Sequence, residues 1–258
     1  MGMVMHQKTF PKKRFGQNFL IDPRKAAALV DALEIRPSEN VLEVGPGAGA
    51  LTERILEKGA RLVAVELDRN LIGPLRGRFR DNPDFELVEA DIIKVDPQRL
   101  FPNRFKLIGN LPYNISGAMM EWLIERHDWV VRAVITLQKE VASRIKAMPG
   151  SRDYGSLSVM VQSFYDVKRL FDIPPGCFAP RPKVHSTALA LTPNIKIDAD
   201  IEFTAFRDFL RACFAQKRKT LANSLWASRN ETIPKLGSRA QIEDIMVGLG
   251  HRPDVRAE

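Results

Sequence analysis

The sequence predicts an α/β protein: a doubly wound, mostly parallel seven-stranded sheet followed by a small all-helical domain. Three observations predict it. Short, almost wholly apolar runs alternate with amphipathic helical stretches over the first two-thirds of the chain, the pattern of parallel strands buried on both faces by crossover helices. A glycine-rich turn follows the first of the buried runs directly. Beyond Pro193 the pattern becomes wholly helical.

Taken in order, residues 40–45 form an apolar run, then comes the glycine turn and a helical stretch over 51–58. Runs at 61–66, 85–89, 105–110 and 130–137 follow, each bounded by turn or helix signals. Two later runs, 167–173 and the alternating 184–191, suit an antiparallel edge. Pro193 and the polar stretch 194–200 look like a linker. Helices are then predicted over 203–214, 217–226 and 240–249. The predicted domains are therefore 1–193 and 194–258.

Composition narrows the class. With 258 residues, 45% hydrophobic and 27% charged, the chain has enough apolar material for a core without covalent staples. Its two cysteines, Cys177 and Cys213, are too few for a disulfide framework or a thiolate metal site, so no metal is expected. No apolar run approaches the roughly 20 residues of a membrane span, and the start carries no apolar leader. A cytoplasmic monomer is the expectation. A net charge of +8 and a pI near 9.6 favour a polyanionic partner, because Lys and Arg bound to phosphates release condensed counterions. Charge alone leaves that partner undecided.

The turn reads Glu43-Val44-Gly45-Pro46-Gly47-Ala48-Gly49. Glycines allow a tight bend and close approach of a ligand, at the sheet edge where ligands of doubly wound folds bind. The spacing is G-x-G-x-G, not the dinucleotide G-x-G-x-x-G. Glu43 stands two residues before the first glycine, where a carboxylate repels a pyrophosphate but suits the ammonium and sulfonium of S-adenosylmethionine. Glu66 ends the second run of the series and is placed to accept from ribose hydroxyls. Asp91, just past the third, is placed to accept from an adenine amine. Singly, each acid is as well read as a strand-end residue or helix cap. Together with Gly45 and Gly47 they give the pattern of the class I methyltransferase fold, a Rossmann-like sheet.

Asn110-Leu111-Pro112-Tyr113 follows the fourth run of the series. An adenine exocyclic amine is a poor nucleophile, since its lone pair is delocalised into the ring. It needs acceptors that draw its hydrogens out of plane, and the Asn110 side-chain oxygen with the Leu111 carbonyl suit that task. Pro112 stiffens the turn and removes a donor. Tyr113 offers a face on which the base can stack. A lone N-x-P-Y is better read as a strand-to-helix turn with a buried tyrosine, and only the cofactor residues nearby favour chemistry. In Phe178-Ala179-Pro180-Arg181-Pro182-Lys183-Val184, Phe178 suits a second stacking wall flanked by the cations Arg181 and Lys183. The alternative is a hydrophobic plug beneath a proline loop.

These motifs together resemble the small-subunit (16S) ribosomal RNA adenine dimethyltransferases, the kasugamycin-sensitivity methylases. The resemblance begins at Lys12-Lys13-Arg14-Phe15-Gly16-Gln17-Asn18-Phe19-Leu20 and runs through the motifs above, Tyr154-Gly155-Ser156-Leu157-Ser158 and the basic Lys217-Arg218-Lys219-Thr220-Leu221. It implies that Gln17, Asn18 and Leu20 line the methionine end of the cofactor. It further implies transfer of four methyls, two to each of two adjacent adenines in a 3′-terminal hairpin loop, leaving S-adenosylhomocysteine. The partner would be an immature small ribosomal subunit, with an assembly role for the protein. Lys12, Lys13, Arg14, Arg181, Lys183, Lys217, Arg218 and Lys219 would contact RNA, the last three from a basic helix. Family members usually continue beyond Asp254-Val255-Arg256-Ala257-Glu258 with another short helical stretch.

Four rivals share part of this pattern. A large-subunit dimethylase of the macrolide-resistance type would keep the cofactor residues and Asn110 to Tyr113. A non-catalytic nucleic-acid-binding relative need not keep the acids and glycines that stand here. A small-molecule methyltransferase would not need the basic charge, and the glycine spacing disfavours a nicotinamide dehydrogenase.

Overall fold

A computed structural model describes residues 18–198, 200–229 and 237–257. Its first elements are the two-residue strand β1 (Phe19–Leu20) and helix α1 (Pro23–Ala32). Asp22 caps α1, accepting from the N–H groups of Arg24 and Lys25 at 2.9 and 3.1 Å, with Pro23 at the first helical position. The sheet then builds through β2 (Asn40–Val44), α2 (Thr52–Glu57), β3 (Arg61–Glu66), α3 (Arg69–Phe79), β4 (Phe85–Glu89), β5 (Phe105–Asn110), α4 (Ser116–Glu125), β6 (Val130–Gln138) and α5 (Lys139–Ile145). After α6 (Ser156–Gln162) come β7 (Tyr165–Ile173), β8 (Phe178–Ala179) and β9 (Ser186–Pro193). The remaining helices are α7 (Phe203–Phe214), α8 (Leu221–Ser228) and α9 (Arg239–Gly248).

Seven strands form one sheet in the order β4-β3-β2-β5-β6-β9-β7. The pairs β4–β3, β3–β2, β2–β5 and β5–β6 are parallel, and β6–β9 is antiparallel. The mostly parallel sheet with late antiparallel pairing is thus as the sequence predicts. From β2 the chain winds outward through β3 and β4, then returns to place β5 on the other side of β2. That reversal is the topological switch point, where open α/β sheets bind ligands beyond their carboxyl ends. The strands carry the core: Val41, Leu62, Ile108, Val134 and Ala188 are fully buried in one cluster with Leu29 and Leu33 from the α1 region.

The chain divides into two compact units. One holds the described residues up to 142 together with 166–193. The other holds 143–165 with the described residues from 194 onward. The sequence placed 143–165 with the first domain, whereas α6 packs with the helical unit, where Phe164 meets the rings of Phe203 and Phe206 at 6.0 and 6.2 Å. The helical unit has its own core of Ala212, Cys213, Ala222, Leu225, Ile242 and Met246. The predicted helix over 217–226 begins later, at Leu221, because the Thr220 side chain accepts from the Asn223 N–H at 3.3 Å and caps α8 there.

Ile108 is fully buried at the centre of the sheet. Truncating it to alanine (Ile108→Ala) should cost about 2–5 kcal/mol, read as a lowered midpoint of denaturant unfolding at unchanged slope.

Candidate active site

Two turns meet at the switch point. The first leaves β2 at Gly45, Gly47 and Gly49, whose φ angles of +66°, +58° and +84° lie in the left-handed region that favours glycine. Gly47 also needs the space: a Cβ there would stand 2.8 Å from the Phe19 ring. The second turn leaves β5, whose Gly109 pairs with Val44 of β2, so Asn110 to Tyr113 lie beside the glycines. Pro112 leads into a short 3-10 turn, Tyr113–Ile115.

Between the turns lies a cleft of two lobes. One, of about 430 Å³, is lined by Asn18, Phe19, Gly45, Gly47, Glu66 and Asn110 to Tyr113. The other, of about 510 Å³, is a largely apolar slot lined by Leu67, Ala90, Ile92, Pro112 and Ile115 among others, with Glu66 and Asp91 also in its walls. Glu66 lines both lobes and can serve a ligand spanning them.

Glu66 is 4% exposed. One of its oxygens accepts from the N–H groups of Leu67 and Asp68, both at 2.9 Å, and the other from the Gly47 N–H at 3.3 Å. Burial pushes its carboxyl above the ordinary range, opposed by these three donors. The carboxylate is therefore held in one orientation at the junction of the lobes. Asp91 accepts from the Ile93 N–H at 3.1 Å and caps the short turn Ile92–Lys94. It is thus both a cap and a wall of the slot.

Glu43 has a different place from the one expected. It is 1% exposed, lines neither lobe, and bonds beneath the glycine turn to the Thr52 hydroxyl at 2.7 Å. Burial first, and the nearby Glu66 charge second among the raising causes, push its carboxyl up to about 8. A carboxyl that is neutral at pH 7 and shielded by the turn does not present a negative charge to a cationic ligand; it supports the turn from below.

Asn110 carries the sharpest geometry. Its amide nitrogen donates to the Asn18 carbonyl at 2.7 Å. A carbonyl only accepts, so the amide's orientation is fixed by chemistry and its Oδ1 is left to accept from a ligand. The Leu111 N–H donates to the Thr136 carbonyl at 3.3 Å, which ties the turn to β6. The Tyr113 hydroxyl shares a 2.9 Å hydrogen bond with Ser186 Oγ on β9, so the ring is held as a fixed wall.

Other predicted residues fall elsewhere. Gln17, Lys12, Lys13 and Arg14 lie outside the described residues. Leu20 is buried in the core and shares a small pocket with the glycine turn. Phe178 corrects the expectation of a second stacking wall: β8 pairs antiparallel with β1, Leu20 opposite Phe178, and this turns the ring into the core at 3% exposure. It is the plug, not a wall. Arg181 and Lys183 are exposed. Lys217, Arg218 and Lys219 lie on the turn before α8, not on a helix, and Lys217 bonds to backbone carbonyls. Phe19, Ile92 and Ile115 were not anticipated as cleft residues. Gly47 was the one signal for Phe19, since a glycine at a tight turn permits a close neighbour.

Known proteins share this fold. A solved dimethyladenosine transferase from Plasmodium falciparum superposes with a TM-score of 0.78 at 27% identity, covering 93% of this chain and 91% of that one. The 23S rRNA methyltransferase ErmE gives 0.66 at 26%, covering 92% of each. The fold is that of a class I methyltransferase. A family model described as ribosomal RNA adenine dimethylase matches residues 9–248, and the chain belongs to that family. Relatives named ribosomal RNA small subunit methyltransferase A include one from Acidobacterium capsulatum, 42% identical over 96% of this chain and 86% of its own. Another, from Geobacter metallireducens, is 41% identical over 96% and 90%.

The Glu43 geometry gives a pH prediction. Its folded pKa is raised from 4.5 to about 8, so across that window the folded protein keeps a proton that the unfolded chain has lost. Stability therefore falls as pH rises through the window. In Glu43→Gln that fall should largely disappear, measured as Tm against pH; a wild-type profile in the variant would remove Glu43 as its source.

Proposed function

We propose that this protein transfers methyl groups from S-adenosylmethionine to the exocyclic amine of adenine in small-subunit (16S) ribosomal RNA, with S-adenosylhomocysteine as product. The resemblance extends this to two methyls on each of two adjacent adenines in a 3′-terminal hairpin loop, and to a role in subunit assembly. The observation that carries the reading is the fixed Asn110 amide, whose nitrogen is committed to the Asn18 carbonyl in a cleft that Tyr113 also lines.

The residues fit the cofactor. The apolar slot suits a purine, with Asp91 at hand for its amine. Glu66 at the junction suits the ribose hydroxyls, and the lobe near Asn18 and Gly47 suits the methionine end. When bound, S-adenosylmethionine supplies an electrophilic methyl group on sulfur. The chain's own task is to aim the acceptor. Asn110 Oδ1, with the Leu111 carbonyl, accepts the amine hydrogens and directs the nitrogen lone pair toward the methyl carbon. The proton shed once the new C–N bond forms needs no strong base, because the methylated amine is acidic until it loses it. Tyr113 stacks on the base, a contact worth about 1–3 kcal/mol. A stacked adenine must first be extruded or come from a single-stranded loop. Arg181, Lys183, Arg218 and Lys219 are the exposed cations we assign to RNA phosphates.

Small-subunit RNA is favoured over large-subunit RNA by the relatives: those at 42% and 41% identity are named for the small subunit, while the 23S enzyme stands at 26%. Incubation with labelled cofactor and separated, unmethylated ribosomal subunits, followed by mapping of the modified adenines, tests the assignment. Label confined to the large subunit would overturn it. Asn110→Ala should lower the transfer rate by about 10²–10³-fold with little change in cofactor affinity by titration; normal turnover would sink its role.

A further inference from the structure

Tyr154-Gly155-Ser156-Leu157-Ser158 has no part in the chemistry above, yet within the helical unit it makes a defined set of contacts. The Tyr154 ring meets Phe214 edge-on, with centroids 5.9 Å apart. Its carbonyl accepts a 2.8 Å bond from Lys217 Nζ, which also donates to the Arg152 carbonyl at 3.4 Å. Ser158, fully buried, accepts from the Gly155 N–H at 3.1 Å and donates to the Arg144 carbonyl at 2.6 Å. The loop that receives Lys217 is thus fixed from behind.

The turn that sends Lys217 is fixed as well. The Gln216 N–H donates to Ser224 Oγ at 3.2 Å, and that hydroxyl donates to the Ala212 carbonyl at 2.7 Å. The Lys219 N–H closes the turn on the Gln216 carbonyl at 2.9 Å. Two of the three N–H donors of the Lys217 ammonium are therefore directed at backbone carbonyls of the 152–154 loop. Arg218 and Lys219, its neighbours, are exposed and in no ion pair among the described residues.

We propose that Lys217 is a positioning residue for RNA binding: it clasps the α7–α8 turn to the 152–155 loop, so that Arg218 and Lys219 present two preorganised cations to the phosphate backbone. Holding a cationic pair in place before contact removes an ordering cost that the complex would otherwise bear. The division of labour rests on the RNA substrate proposed above. It gives the Tyr154 to Ser158 motif a task, that of a receptor for the lysine.

The test combines amide hydrogen exchange of the free protein with salt titration of its binding to small-subunit RNA. Lys217→Met should speed exchange in 152–157 and 216–221 by about fivefold or more and weaken RNA binding by about three- to tenfold. Lys217→Arg, which can still reach the carbonyls, should restore both. Arg218→Ala and Lys219→Ala should each reduce the salt slope by about one and leave exchange unchanged. If Lys217→Met leaves exchange unchanged but weakens binding as Arg218→Ala does, the lysine is an anchor and the clasp is wrong. If wild-type protein shows no salt-dependent affinity for the RNA, the substrate assignment fails, while the exchange result still judges the clasp by itself.

Discussion

Parallel pairing of β2 with β5 is the constraint on which the cleft depends. Val44 lies opposite Gly109, and the approach is so close that a Cβ on Gly109 would come within 3.0 Å of the Val44 carbonyl and the Leu111 side chain. Only at the reversal of strand order do two carboxyl ends that open in different directions along the sheet stand side by side. One end supplies a glycine turn and the other a rigid polar turn, so a ligand held by the first is delivered to the second. A slip of one residue in that register would turn Asn110 to the opposite face of the sheet.

Electrostatics divides the two buried glutamates at the cleft between different tasks. Both are desolvated, but Glu66 is met by three backbone N–H groups and Glu43 by the hydroxyl and backbone N–H of Thr52 alone among the described residues. The first is an oriented acceptor in the cleft wall. The second, its pKa pushed up to about 8, is a neutral strut at pH 7. Burial raises both carboxyls, and the neighbouring Glu66 charge raises Glu43 further.

The α/β frame was readable because buried parallel strands announce themselves as apolar runs, and the predicted and observed spans of β3, β4 and β5 coincide. Asn110, Glu66 and Asp91 were legible as candidates because they end, or closely follow, strands that the pattern locates. What escaped the sequence was anything set by tertiary pairing. A two-residue strand such as β1 has no period to detect, so the inward turn of Phe178 could not be foreseen. The allegiance of 143–165 to the helical unit depends on aromatic contacts such as Phe164 with Phe203, made across some forty residues. The start of α8 at Leu221 hinged on which of several polar residues became the cap, and amphipathic periodicity does not decide that. Glu43 was recognised as acidic and near the glycines, but its burial, and hence its charge, is a property of packing.

The bond from Asn110 to the carbonyl of Asn18 has a genetic corollary. Its acceptor belongs to the main chain, so every amino acid at position 18 offers the same oxygen, and substitution there leaves the chemistry of the contact alone. Its position is another matter. Residue 18 immediately precedes β1, which is held in register by Phe178 and Ala179 of β8. A lesion in that ribbon, in a segment without a reactive group, would misplace the oxygen and let the Asn110 amide rotate. Mutations 68 residues downstream of Asn110, at Phe178, would then register in an assay as defects of chemistry, although they touch only packing.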